Sequence, residues 1–249
     1  MKKIALALGF LFVLKGFGLA QGEFRFGVQA SPTWSWLRTN DKLLEGAGTN
    51  WGLKFGVLGE YYFAQNYAFT AGLGFGFNHG GTLLFANGAP QDMIALWPNS
   101  DLSNKALFDT LGLGARFHYR LTYVEIPFGL RFRGGSNEDS RMKFYAEAPI
   151  FTLGFLSKAL GDIRGTAADQ TEDENIKKDV NGLSLSWGVG AGIEYEVASN
   201  ATIIAGLFFQ QQFSDMTDDG GAIFHNNAWD RENSKGAFNA ISLKLGFFF

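Results

Sequence analysis

Apolar and polar residues alternate along eight segments of the chain, and this period of two predicts β-strands. One face of these segments is rich in Phe, Leu, Val and Ile, whereas the other carries Gly, Ser, Thr and charged residues. Pro149 has no backbone donor, so we expect a bulge or a local break of the ladder in the fifth segment. The predicted strands are 23–36, 51–63, 67–78, 117–133, 142–156, 183–197, 201–213 and 237–249.

The connections between the predicted strands alternate in length. Three are short, at 64–66, 134–141 and 198–200. The other four are long, at 37–50, 79–116, 157–182 and 214–236. Short turns at one end and long loops at the other are typical of outer-membrane barrels. We therefore predict an all-β fold, an eight-stranded antiparallel up-and-down transmembrane β-barrel with short periplasmic turns and long extracellular loops.

The Phe-rich face is expected to meet lipid. An eight-stranded barrel has an interior just wide enough for side chains, and glycines with a few charged residues fit that space better than stacked phenylalanines. The alternative is a soluble barrel of lipocalin type, which would turn the same apolar face inward. Tryptophans flank the first long connection and tyrosines lie near the short turns, as two interfacial girdles would require.

The two ends of the chain both indicate export. Residues 1–20 read as a signal peptide, with Lys2 and Lys3, an apolar run at 4–14 and a small-residue cleavage site at 18–20 (GLA). Residues 21–249 are then a single barrel domain. The final strand resembles the C-terminal sorting signal of outer-membrane barrels, which implies the outer membrane of a Gram-negative cell, reached through the periplasm. The residues of this signal are Ile241, Leu243, Leu245, Phe247 and Phe249.

Composition excludes several classes of function. The chain has no Cys, which excludes a disulfide framework, a thiolate nucleophile, a Cys-ligated metal and an acylated lipoprotein cysteine. Removal of the predicted signal peptide leaves 18 of the 21 basic residues against 24 acidic ones. An acidic mature chain argues against nucleic acid as a partner.

The predicted inner face carries charges that need partners or water in so narrow a space. One interpretation is a network of ion pairs that plugs the barrel. The other is a polar conduit or a proton-sensitive gate. The residues of this predicted lumen charge network are Arg25, Lys54, Glu60, Glu125, Arg131, Glu147, Glu194, Glu196 and Lys244.

The remaining candidate chemistry is sparse. His79, His118 and His225 fall in or near long connections and are expected to be solvated loop residues. No Gly-x-Ser-x-Gly elbow is present, and residues 218–220 (DDG) lack the spacing of a calcium loop. The acidic run 169–179 is expected to be a solvated loop tip. We predict no catalytic residue, no cofactor and no metal.

Four segments carry a family resemblance, namely residues 123–132 (YVEIPFGLRF), 144–149 (FYAEAP), 52–56 (GLKFG) and 60–63 (EYYF). They resemble the PorT-like outer-membrane β-barrel family of Bacteroidetes-type bacteria. The resemblance extends over residues 22–249 and implies an outer-membrane barrel. The protein that gives the family its name assists secretion of proteins across the outer membrane. No catalytic residue comes with the resemblance.

Four functions remain open. The first is a non-enzymatic outer-membrane barrel with a structural or binding role, four long extracellular loops and a largely plugged polar lumen. The others are an accessory to outer-membrane protein secretion, a lipid-modifying enzyme with a histidine at the rim, and a porin-like channel for small solutes. Expected partners are outer-membrane lipid, the barrel-assembly machinery during insertion and, for the secretion role, secretion-system components.

Overall fold

A computed structural model describes residues 23–134, 140–165 and 170–249. The predicted signal peptide lies outside the described residues. One short helix, α1 (Lys105–Phe108), separates the fifth and sixth strands, and no helix of the described chain has the length and apolar character to cross a membrane. The strands are β1 Glu23–Arg38, β2 Leu44–Gly46, β3 Thr49–Ala64, β4 Tyr67–Phe85, β5 Met93–Ala95, β6 Leu111–Gly112, β7 Arg116–Gly134, β8 Met142–Arg164, β9 Gln170–Asn175, β10 Leu183–Ala198, β11 Ala201–Gln212, β12 Ala222–His225, β13 Ala228–Arg231 and β14 Ala237–Phe248.

Eight long strands close into an antiparallel barrel, which confirms the predicted fold. Each long strand pairs with its neighbours along the chain, in the order β1, β3, β4, β7, β8, β10, β11, β14. The seam closes because β14 pairs with β1, with Phe247 opposite Val28 and Ile241 opposite Trp34. Closure gives every long strand a partner on both sides, so the barrel wall has no free edge.

The Phe-rich face points outward. Phe55, Leu73 and Leu207 are each more than half exposed on the outer wall. Glycines let neighbouring strands approach closely on the inside, since a Cβ added to Gly56 of β3 would lie 2.6 Å from the Cα of Gly74, its partner on β4. The exposed apolar residues belong to a band around the outer wall, which we call the lipid band. Such a surface is suited to lipid and not to water.

The predicted bulge in the fifth long strand is confirmed. Arg131 of β7 pairs with Glu147 of β8, but Gly129 pairs with Ile150, so β8 carries one extra residue there. Pro149 lies within the interrupted stretch, where its missing donor costs no ladder bond.

Strands β4 and β8 continue past their predicted ends into segments 79–85 and 157–164, so the prediction of loops there is wrong. The barrel wall reverses its polarity in this region. On β7, Tyr119 and Leu121 are buried inside, whereas His118 and Arg120 face outward. Beyond the lipid band the outer wall meets water, so the apolar side chains turn inward as they do in a soluble barrel.

The rest of the long connections folds into a cap over this end of the barrel. A second sheet, in the order β13, β12, β5, β6, joins the second long connection to the fourth. Ile94 of β5 lies opposite Ile223 of β12. Buried residues of the cap, including Trp97 and Met216, form one apolar cluster with the inner face of the wall.

The acidic run is part of this cap and not a solvated loop tip. Asp169 lies outside the described residues, and the rest of the run forms β9 and a 3-10 turn at Lys177–Asp179. The Asp179 carboxylate accepts a bond from the Asn99 amide at 3.0 Å and one from the Ser100 hydroxyl. Glu174 accepts a bond from the Ser103 amide at 3.0 Å. These acids are buried because they satisfy backbone and hydroxyl donors of the second long connection.

Candidate functional site

A cluster of charges fills the barrel near the short turns, and Arg131 is at its centre. The Arg131 side chain is 0% exposed. Its guanidinium contacts the Glu60 carboxylate, the Glu194 Oε1 atom at 3.3 Å and the Glu147 Oε1 atom at 3.6 Å. It also lies over the Tyr145 ring, 3.9 Å from the centroid. One cation therefore connects three carboxylates and an aromatic face.

Three further cations surround the same carboxylates. Arg25 lies 3.5 Å from Glu60 and 3.6 Å from Glu194. Lys244 donates to Glu147 at 2.7 Å. Arg133, which sequence reasoning missed, lies 3.8 Å from Glu194 and over the Tyr62 ring. Its position two residues after Arg131 on the same strand was the available signal, because alternate residues share a face.

A second, smaller polar group lies further toward the cap. Lys54 donates to the two carboxylate oxygens of Glu125 at 2.8 and 2.9 Å and to the Gln210 side chain at 2.5 Å. The Gln210 amide in turn donates to the Ser186 hydroxyl at 2.5 Å. Every charge of this group therefore has a partner across the lumen.

His79 lies beside this group and is fully buried, so its prediction as a solvated loop residue is wrong. Its ring packs 5.3 Å from the Phe238 ring and 6.4 Å from the Tyr123 ring. Neither ring nitrogen has a hydrogen-bond partner among the described residues. The histidine is inside because β4 continues through it and a register shift between Gly76 and His79 turns its side chain inward.

A cavity of about 50 Å³ separates the two polar groups. Lys54 and Glu125 border it on one side, and Glu60, Glu147 and Lys244 on the other. This volume admits a few water molecules. Toward the cap, the interior is filled by buried side chains, which include the apolar and aromatic Leu121, Tyr123, Leu156 and Phe238 and the polar Ser35, Asn50 and Gln212.

The structure divides the predicted lumen charges into two groups. One predicted residue, Glu196, belongs to neither group. Glu196 is exposed, so its placement in the lumen is wrong. It lies near the end of β10, at the rim, where its backbone amide donates to the Arg141 carbonyl at 2.8 Å. The other eight are in the barrel interior: Arg25, Lys54, Glu60, Glu125, Arg131, Glu147, Glu194 and Lys244.

His118 lies on the outer wall above the lipid band. Its Nδ1 atom is 2.9 Å from the Thr82 hydroxyl. Asp162 is the cross-strand partner of His118, but its carboxylate accepts a bond from Arg120 at 2.6 Å and one from the Asp173 amide at 2.9 Å. An acyl-transfer relay needs the acid on the imidazole, and this acid is engaged elsewhere.

His225 joins two long connections within the cap. Its Nδ1 atom donates to the Asp92 carboxylate at 2.7 Å, and this bond lowers the pKa of Asp92. The histidine is half-buried in the cap sheet and not a freely solvated loop residue. Among the described residues, no group of three or more His, Cys, Asp or Glu side chains is arranged to hold a metal ion.

The C-terminal strand presents its apolar residues on the outer wall. Ile241, Leu245, Phe247 and Phe249 are exposed, and Leu243 between them is half-buried. Their role as a sorting signal stays a prediction.

The comparison with protein families decides the class. The outer membrane protein beta-barrel domain family matches residues 19–218. The chain belongs to this family. Its barrel is an outer-membrane barrel, its short turns are periplasmic and its cap is extracellular. The narrower resemblance to PorT-like proteins stays a prediction.

Several solved outer-membrane proteins are similar to this chain at low identity. Neisserial surface protein A is 12% identical over 90% of this chain and 95% of that one, with a TM-score of 0.41. OprG from Pseudomonas aeruginosa is 12% identical over 90% and 96%, with a TM-score of 0.37. The attachment invasion locus protein of Yersinia pestis is 10% identical over 91% and 99%, with a TM-score of 0.36. The comparison with curated proteins gives no match.

Proposed function

We propose that the protein is a non-enzymatic, non-conducting outer-membrane barrel with a structural or binding role, and that its extracellular cap is the part presented to the surroundings. The observation that carries the proposal is the filling of the lumen. Ion pairs occupy its periplasmic part, a cavity of about 50 Å³ lies above them, and an apolar core continuous with the cap closes the top.

The cost of opening such a lumen is large. A solute that passes Arg131 must separate a buried cation from carboxylates, and breaking one buried pair costs about 3–5 kcal/mol. It must then displace the buried side chains of Leu121 and Tyr123, and opening a packed core costs further free energy. These two barriers favour a closed barrel over a small-solute channel.

Conductance tests this proposal directly. Full-length protein reconstituted in planar bilayers should give no stepwise currents, and Glu125→Gln should behave in the same way. A variant in which Arg131 is changed to Ala and residues 86–115 are replaced by a short Gly-Ser linker should open and serve as the positive control. Stepwise currents from the natural sequence, with a size altered in Glu125→Gln, would contradict a closed lumen.

A lipid-modifying activity is disfavoured by the bonds around His118. The acid nearest to it binds Arg120, and the hydroxyl beside it belongs to Thr82 and not to a serine at an elbow. We expect no release of fatty acid from outer-membrane lipid in detergent. Release that is lost in His118→Ala would reverse this part of the proposal.

The proposed partners are outer-membrane lipid around the apolar band and the barrel-assembly machinery during insertion. If the barrel-assembly machinery recognises Phe249 as a signal, deletion of this residue should slow assembly in vesicles that contain the machinery. The same deletion should leave spontaneous folding in detergent unchanged. An accessory role in secretion rests on the PorT-like resemblance alone. Co-purification with secretion components from the native membrane would support it.

A further inference from the structure

A polar cleft of about 260 Å³ opens on the outer wall of the barrel, above the lipid band. It lies across β4, β7 and β8, where the wall has reversed its polarity. The cleft is outside the lumen and is separate from both internal charge groups. Its lining residues are Thr82, Arg116, His118, Asp162 and Arg164.

Two like charges face each other in this cleft. Arg116 of β7 pairs directly with Arg164 of β8 in the ladder, and both side chains are exposed. Neither forms an ion pair with a carboxylate among the described residues. Like charges directly opposite each other destabilise a sheet, so folding of the barrel alone supplies no reason for this pair.

The acid in the cleft does not relieve this repulsion. Asp162 accepts a bond from Arg120 at 2.6 Å, and Arg120 also bonds Asp173 at 2.7 Å. These bonds direct the carboxylate to the neighbouring arginine. The cleft therefore retains two cations that have no anionic partner of their own within the described part of the chain.

The cleft lies above the layer of phospholipid headgroups, at a height that the sugars of an outer-leaflet glycolipid reach. Val124 of β7 is on the lipid-facing side, and His118 lies six residues before it on the same strand, nearer the cap. That separation is roughly 20 Å along the strand and about 15 Å along the axis of a barrel with tilted strands. Exposed Lys158, opposite Thr122, adds a cation between the lipid band and the cleft.

We propose that this cleft binds the phosphorylated sugar headgroup of an outer-leaflet glycolipid of the lipopolysaccharide type. Arginine forks bind phosphate in a bidentate manner, and a phosphate between Arg116 and Arg164 converts their repulsion into two attractive contacts. The Thr82 hydroxyl and the His118 ring supply hydrogen bonds for the sugar. This inference requires an outer-membrane barrel but does not depend on whether the lumen conducts.

The test measures binding to the full-length protein in detergent or lipid nanodiscs. The probes are lipopolysaccharide with a phosphorylated core, the same lipopolysaccharide after dephosphorylation, phosphatidylglycerol and inorganic phosphate. We expect the first to bind most tightly. Arg116→Gln and Arg164→Gln should each weaken it about 10-fold, and the double variant about 100-fold, as the loss of charge-assisted contacts predicts. Exposed Arg141 lies at the periplasmic end, so Arg141→Gln is the matched control and should bind normally.

Four results would overturn the proposal. They are equal binding of dephosphorylated lipopolysaccharide, equal binding of phosphatidylglycerol, inorganic phosphate binding as tightly as the glycolipid, and unchanged affinity in the double variant. Stability provides a separate check, because removal of a like-charge pair should leave the unfolding midpoint without glycolipid equal or higher. A lower midpoint in the double variant would mean that the arginines serve the fold, which would also overturn it.

Discussion

Replacement of Arg131 by Met is the sharpest test of the internal charge cluster. The substitution keeps a long side chain but removes the cation that joins Glu60, Glu147 and Glu194. Arg25 and Lys244 remain beside these carboxylates, so the deficit is one charge in a space without bulk water. Removal of one partner from a buried ion pair costs about 3–5 kcal/mol. The lost stacking on Tyr145 adds about 1 kcal/mol.

Arg133→Met is the matched control. Its side chain is 16% exposed and has a single carboxylate contact, at 3.8 Å from Glu194. Pairs at such partly solvated positions contribute about 0–1 kcal/mol. Because both changes remove one arginine from the same strand and the same face, their difference reports the effect of full burial among three carboxylates.

The assay is urea unfolding of the full chain folded in phospholipid vesicles, followed by tryptophan fluorescence. A double variant, Arg131→Met with Glu60→Gln, completes a double-mutant cycle. If the two residues are coupled, the double variant loses less unfolding free energy than the two single variants together. We expect the double variant to be more stable than the sum of the single losses allows. Equal costs for Arg131→Met and Arg133→Met, or strict additivity in the cycle, would refute the claim that Arg131 holds the cluster together.

Three further predictions concern the wall and the cap. Leu73→Arg places a charge on the outer wall and should cost about 2–4 kcal/mol near the bilayer centre, measured by the same urea assay; no loss of stability would contradict the assigned face. Burial raises the pKa of Glu232 in the cap from 4.5 to about 7, so the folded cap holds this proton more tightly than the unfolded chain. The contribution of Glu232 to cap stability should then be full below about pH 4.5 and should be lost, at about 3 kcal/mol, as the pH rises from there through 7. Hydrogen exchange of residues 213–236, corrected for intrinsic rates, should show this change, and Glu232→Gln should abolish it. Gly161→Ala should loosen the cap by about 1–3 kcal/mol, because the new Cβ would lie 2.4 Å from the Trp97 ring, whereas Gly112→Ala, where a Cβ meets open space, should leave exchange unchanged.

The local pattern was sufficient for the barrel because strand geometry is periodic. Side chains alternate between two faces whatever the sheet, so a Phe-rich set and a Gly-rich set identify the lipid side and the lumen side. The same rule failed at segments 79–85 and 157–164. There the apolar residues face inward and the polar residues face outward. A prediction that requires an apolar outer face therefore assigns such a segment to a loop. His79 was misplaced for this reason.

The strands of the cap could not be predicted from the alternation of apolar and polar residues. Its sheet joins strands from the second and fourth long connections, and each of its strands has only two to four residues. Such short segments carry too few alternations to be distinguished from loops. The burial of Glu174 and Asp179 depends on backbone donors of the second long connection, which no local pattern of charges reveals.

The sequence by itself determined the eight strands, their two faces and the membrane class, since these follow from residue order and from the preference of each face for lipid or water. Tertiary structure decided which charges meet. Arg131 on β7 contacts Glu60 on β3 and Glu194 on β10, and neither strand is its neighbour in the wall. These contacts cross the lumen, so they depend on closure and stagger of the whole barrel. The closed barrel also decides that Glu196 lies at the rim and takes no part in the cluster.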